Sequence, residues 1–187
     1  MATVSRMIDL MWQPPRKKPG AKRPMLDRRL SENFKYYGNW GFTIYRTYYS
    51  PESDKHWDIL LDALKRQTSL ALGYFEDGYQ YSNDVKQRGS SFYRGEEEYM
   101  NDLNRLKEMF CLDPRDDLLL LDGLDVRGLR EVCLKEQPEA EKTMAGGQFG
   151  FALLADQAVL KDIAKDIFAV KAVAYEWEEA YDAPWAG

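Results

Sequence analysis

The chain holds a single histidine, His56, and its chemistry depends on what the fold places around it. An imidazole titrates near neutrality and can act as a general base without a metal. Tyr45, Arg46 and Tyr49 lie a few residues upstream, and an arginine between tyrosines can hold a carboxylate or another anion. Together the four describe a metal-independent enzyme or small-molecule-binding protein with an aromatic-lined pocket, His56 being its catalytic group. The plainer reading is a half-exposed histidine in the first turn of a helix. Strand geometry limits the constellation. Successive strand residues face opposite sides, so Tyr45 and Arg46 cannot both join His56 on one sheet face unless a bulge intervenes.

Other chemistries are poorly supplied. One histidine excludes a multi-histidine metal centre. Cys111 and Cys133 are the only cysteines, and their spacing with His56 matches no zinc-ligand pattern. In a chain of 187 residues they read as reduced thiols of an intracellular protein. Asp113, Asp116, Asp117, Asp122 and Asp125 crowd one stretch, but the spacing of a calcium loop and its closing glutamate are absent. Turns and caps account for them, Asp113 before Pro114 as a turn and Asp125 as an N-cap. The phosphate-binding glycine loops, the HExxH and CxxC pairs and the GxSxG elbow are missing. No metal and no cofactor is expected.

Charge is divided along the chain. Residues 1–35 balance at +6 and the rest at −11, for a total of −5. Residues 1–37 read as a basic, proline-rich arm. Arg16, Lys17, Lys18, Lys22 and Arg23 stand among Pro14, Pro15, Pro19, Gly20 and Pro24, which forbid a helix or a central strand. The arm should be extended and solvated unless Met7, Leu10, Met11 and Trp12 pin it to the body. It could serve as a nuclear-import signal, as a contact to nucleic acid or an acidic surface, or as a tail on its own acidic body. A body at −11 repels phosphates, so nucleic acid is expected only through the arm. Residues 148–151 (QFGF) match only part of the RNA-recognition signature. No stretch approaches 18 apolar residues, so no membrane contact is expected. The opening residues lack the apolar core of a secretory leader, and the expected location is cytoplasmic with nuclear import open to the arm.

Residues 38–187 read as a single α+β domain. Residues 40–49 (WGFTIYRTYY) are β-branched and aromatic, with Trp40, Phe42 and Ile44 on one strand face. Ser50 and Pro51 suit the cap and first turn of a helix that buries Trp57, Leu60, Leu61, Leu64, Thr68 and Ala71 and stops at Gly73. Residues 76–95 form a long polar connection. Glu96, Glu97 and Glu98 open a second helix, with Tyr99, Leu103, Leu106 and Phe110 inward. Periodicity leaves open whether a short strand follows at 109–112; Asp113-Pro114 ends either element. Leucines 118–121 precede a short helix near 125–135 with Leu129, Val132 and Cys133 inward. Past the Gly146-Gly147 turn, residues 148–155 read as a strand. Asp156 then caps a helix burying Val159, Leu160 and Ile163, and 168–177 close as a strand with ends parallel to the previous one. With the 109–112 strand granted, this is a ferredoxin-like split βαβ sheet with helical and loop insertions and an N-terminal basic extension.

Residues 40–47 (WGFTIYRT), 50–57 (SPESDKHW) and 120–125 (LLDGLD) resemble a group of uncharacterised predicted proteins of filamentous fungi, and 149–156 share the likeness. The resemblance implies a fungal, intracellular protein. It transfers no catalytic residue, and the basic arm lies outside it.

These features favour an intracellular binding or interaction module. The 12 tyrosines, gathered in the first half, suit a contact surface, and an exposed sheet edge favours a dimer. The partner is another protein or a second copy. Small-molecule chemistry through His56 is the alternative, and nucleic-acid contact through the arm a further one.

Overall fold

The structure, a computed structural model, describes residues 4–15, 26–73, 93, 95–143 and 150–174. Arg16, Lys17, Lys18, Lys22 and Arg23, most of the 76–95 connection, and the 146–147 turn lie outside the described residues.

The elements run α1 (Val4–Met11), a 3-10 turn (Ser31–Tyr36), β1 (Trp40–Arg46), α2 (Ser53–Gly73), α3 (Glu96–Glu108) and β2 (Phe110–Arg115). They continue as α4 (Leu118–Leu121), α5 (Val126–Thr143), β3 (Phe151–Ala155), α6 (Gln157–Ile163) and β4 (Lys171–Ala174). The strands form one mixed sheet in the order β2-β1-β3-β4, so the class is α+β. β1 and β3 are parallel, with Ile44 opposite Leu153 and Arg46 opposite Ala155.

β3 and β4 are antiparallel, with Phe151 opposite Ala174 and Leu154 opposite Lys171, which corrects the expected parallel ends. The reason lies past α6. Asp166 adopts φ 60°, and the Ile167 N–H returns to Asp162 O at 2.9 Å while Asp166 N–H returns to Ile163 O at 3.0 Å. This left-handed closing turn reverses the chain, so β4 begins beside the end of β3 instead of its start.

Several boundaries also move. Ser53 N–H bonds Ser50 O at 2.9 Å, so residues 50–53 form a turn and α2 starts at Ser53, not at Pro51. Its fully buried face includes Trp57, Leu60, Ala63 and Leu72, while Ala71 is exposed. The strand after α3 is real, and Pro114 lies inside it; β2 is at the edge of the sheet order, where a missing N–H is tolerated. From Thr43 to Arg46 every residue of β1 is buried, because both faces of this inner strand are covered.

Contacts divide the chain into two compact units, one of residues 1–41, 61–113 and 139–146, the other of 42–60, 114–138 and 147–187. In the first, Val4, Ile8 and Met11 repeat at helical spacing and bury one face of α1 with Tyr99, Leu103 and Leu106 of α3. The pin expected of the arm is therefore this face, with Met7 half-buried beside it and Leu10 exposed. Arg28 donates to Asp9 at 2.6 Å and lies 3.8 Å from Asp102. Trp40 Nε1–H donates to Leu106 O at 2.7 Å. Gly41 has φ 146°, and a Cβ there would fall 1.7 Å from Cys111 O, so this position tolerates no side chain.

In the second unit the core gathers Tyr45, Leu121, Leu129, Cys133, Ala152, Leu154 and Val173. Asp125 accepts from Gly128 N–H at 2.8 Å and Asp156 from Val159 N–H at 3.0 Å, so both carboxylates cap helices as their positions predict.

Candidate functional site

β1 ends in Tyr45 and Arg46, which alternation sends to opposite faces. Tyr45 enters the core beside Cys133, and its hydroxyl donates to Glu136 Oε2 at 2.7 Å. Burial, and after it that carboxylate, holds the phenol far above the ordinary tyrosine range. Burial likewise pushes the Cys133 thiol up to about 11. Both groups are neutral at pH 7, and the Cys133 thiol is inert rather than nucleophilic.

Arg46 is 3% exposed and is surrounded by acceptors. Nη2 donates to Ser53 Oγ at 2.7 Å and pairs with Asp54; Nη1 donates to Asp116 Oδ2 at 3.3 Å; Nε donates to Tyr48 O at 3.1 Å. The guanidinium carbon lies over the Tyr49 ring, 4.5 Å from its centroid, and the Tyr49 hydroxyl donates to Arg46 O at 3.1 Å. Burial, then the Asp116 carboxylate, raises the Tyr49 phenol. Ser53 makes the arrangement local. Its hydroxyl closes the 50–53 turn through Ser50 N–H at 2.7 Å and Ser50 O at 2.8 Å, which sets Asp54 in the first turn of α2 within reach of the arginine. Four of the five guanidinium N–H groups go to the protein's own acceptors and the side chain is buried, so little of it is left for an incoming anion.

His56 lies two residues past Asp54 on α2 and is half-buried. Among the described residues, no hydrogen bond or ion pair joins it to Tyr45, Arg46 or Tyr49. The structure thus brings Arg46 and Tyr49 together, sends Tyr45 into the core, and leaves His56 outside their network.

Sequence reading missed what Arg46 holds. Asp117 follows the clamped Asp116 and caps α4, its Oδ1 accepting from Leu119 N–H at 3.0 Å and Leu120 N–H at 3.3 Å. Leu121, 1% exposed, plugs into the core with Tyr45 and Leu129. Gly123, at φ 72°, donates its N–H to Thr47 O at 3.0 Å. Segment 116–123 is therefore tied at both ends to the end of β1 and anchored through Leu121. Leu118, Leu119 and Leu120 are left facing out, at 52%, 97% and 49% exposure. A signal existed in four consecutive leucines between aspartates. One helical turn on a folded body buries only one side of such a run, so some had to face solvent.

Among the described residues, no group of three or more His, Cys, Asp or Glu is placed to hold a metal ion. No helix there is long and apolar enough to cross a membrane. Comparison with known protein families, curated proteins and solved structures gave no match. What defines the molecule is thus an α+β scaffold with a clamped apolar turn at the end of an inner strand.

Proposed function

We propose that the protein is an interaction module that presents the α4 turn to a partner protein. The observation that carries this is three consecutive exposed leucines on a turn fixed by Arg46, Asp117 and Thr47. Single exposed leucines are ordinary, whereas an exposed apolar cluster marks a contact site. Fully burying one leucine side chain gains about 1.5–3 kcal/mol, and a turn already locked loses little entropy on binding.

The occupant is a protein with an apolar pocket rimmed by Lys or Arg. Asp116, Asp117, Asp122 and Asp125 flank the leucines in the chain, and all four are exposed. A second copy offering its own turn would set aspartates against aspartates, so charge favours a different chain. For the fold, the central parallel β1–β3 pair supports the ferredoxin-like reading, while β2 beside β1 and β4 beside β3 set the edges differently.

Peptides selected from a random library on the full-length protein alone, and then measured on Leu119→Asp, test the reading. The expected peptides join apolar residues to Lys or Arg. They bind Leu119→Asp at least about tenfold more weakly, as loss of a contact anchor implies. The urea midpoint stays unchanged, because the side chain is 97% exposed. Peptides that bind both chains equally would overturn the proposal. A dimer seen by sedimentation and dissociated by Leu119→Asp would replace the partner protein with a second copy.

A further inference from the structure

A separate cleft of about 1030 Å³ opens in the first compact unit, with α3 as one wall and the segment around the 3-10 turn as the other. Its arginines are committed. Arg29 pairs with Glu98. Arg105 donates to Asp102 Oδ1 and to the Tyr37 hydroxyl, both at 3.3 Å, and its guanidinium carbon lies 3.7 Å from the Phe34 ring centroid and 4.9 Å from that of Tyr37. What the cleft leaves open is a stripe on α3. Glu97, Asn101, Asn104 and Glu108 fall at i, i+4, i+7 and i+11, line the cleft and are exposed. Glu97 and Glu108 make no ion pair among the described residues. Eleven residues of helix set these carboxylates about 16 Å apart, with two amides between them.

We propose that this cleft binds a linear polyamine, with one ammonium group at Glu97, one at Glu108 and the intervening N–H groups on the side-chain oxygens of Asn101 and Asn104. Two unpaired carboxylates at fixed separation select a cation charged at both ends, and an extended tetraamine spans a comparable length. The lining sets Glu97, Glu98, Asp102 and Glu108 against Arg29 and Arg105, so its charge balance favours a cation over an anion. A basic peptide is the less suited ligand, because the described lining offers no strand for a peptide backbone to pair with.

Isothermal titration of the full-length protein with spermine at low salt tests this, with Glu97→Gln, Glu108→Gln, the double variant and Glu131→Gln. Glu131 is exposed and belongs to the other unit, so it controls for net charge. The expected result is one saturable site, weakened about threefold by either cleft substitution and about tenfold by both, in line with exposed charge pairs. Glu131→Gln should bind as the native chain does, and affinity should fall with added salt. Absence of saturation would overturn the proposal, as would an equal loss in Glu131→Gln, which would signal diffuse attraction only. Tighter binding of a neutral oligosaccharide or of a lysine peptide of equal charge would also overturn it.

Discussion

At the scale of single residues, Arg46 carries the site by holding other parts of the chain in place. Its partners Asp54 and Asp116 have side chains 74% and 40% exposed, so water can replace the arginine at their outer oxygens. Arg46→Met should therefore cost about 2 kcal/mol, below the range for a fully buried pair, read as a lower urea midpoint. Amide exchange over 117–123 should speed up more than exchange in α6, because the clamp on Asp116 is lost. Cys133 gives a second test. Burial raises its thiol from 9.0 to about 11 in the folded chain. Between those values the unfolded thiol has lost its proton and the folded one has kept it, so stability falls as pH rises from about 9 to 11 and is unaffected below. Cys133→Ala should remove the slope between pH 9 and 10 in urea titrations at pH 8, 9, 10 and 11, while the raised Tyr45 and Tyr49 phenols keep stability falling above about pH 10.

At the scale of elements, short-range devices decide where each piece stops and which way the chain leaves. α6 shows both ends. Asp156 starts it with a side-chain cap, and Asp166 ends it in a left-handed conformation that costs an L-residue about 1 kcal/mol. Asp166→Gly removes that cost and should raise stability by about 0.5–1 kcal/mol in chemical denaturation, leaving the β3–β4 pairing intact. The α4 turn is the contrasting case. It has four residues, too short to hold as a free helix, and persists because Asp117 caps it, Leu121 anchors it and Gly123 ties it to Thr47.

At the scale of the whole molecule, the N-terminal segment is structural as well as charged. Val4, Ile8 and Met11 are each 0–1% exposed, on a helix packed on α3. Deleting residues 1–37 should uncover Tyr99, Leu103 and Leu106, giving dye binding to exposed apolar surface and lower solubility. Local signals made much of this legible. The aromatic run marked β1, apolar spacing marked α2, α3 and α6, and Asp125 and Asp156 declared themselves as caps, because period and capping act within a few residues. The α1 helix was hidden by the prolines and basic residues that follow it, although Val4, Ile8 and Met11 carried its spacing. The site was less legible. Arg46, Tyr49 and the leucine run were each visible, but Asp116 lies 70 residues from Arg46, and no local pattern ties them. The sequence by itself determined β1, the α2, α3 and α6 helices and where charge and leucine accumulate. Tertiary structure alone decided the strand order, the antiparallel return of β4, the closure of Arg46 on its carboxylates and the outward face of α4. Those outcomes depend on contacts between distant segments, whose loop-closure cost is met only once the cores have packed.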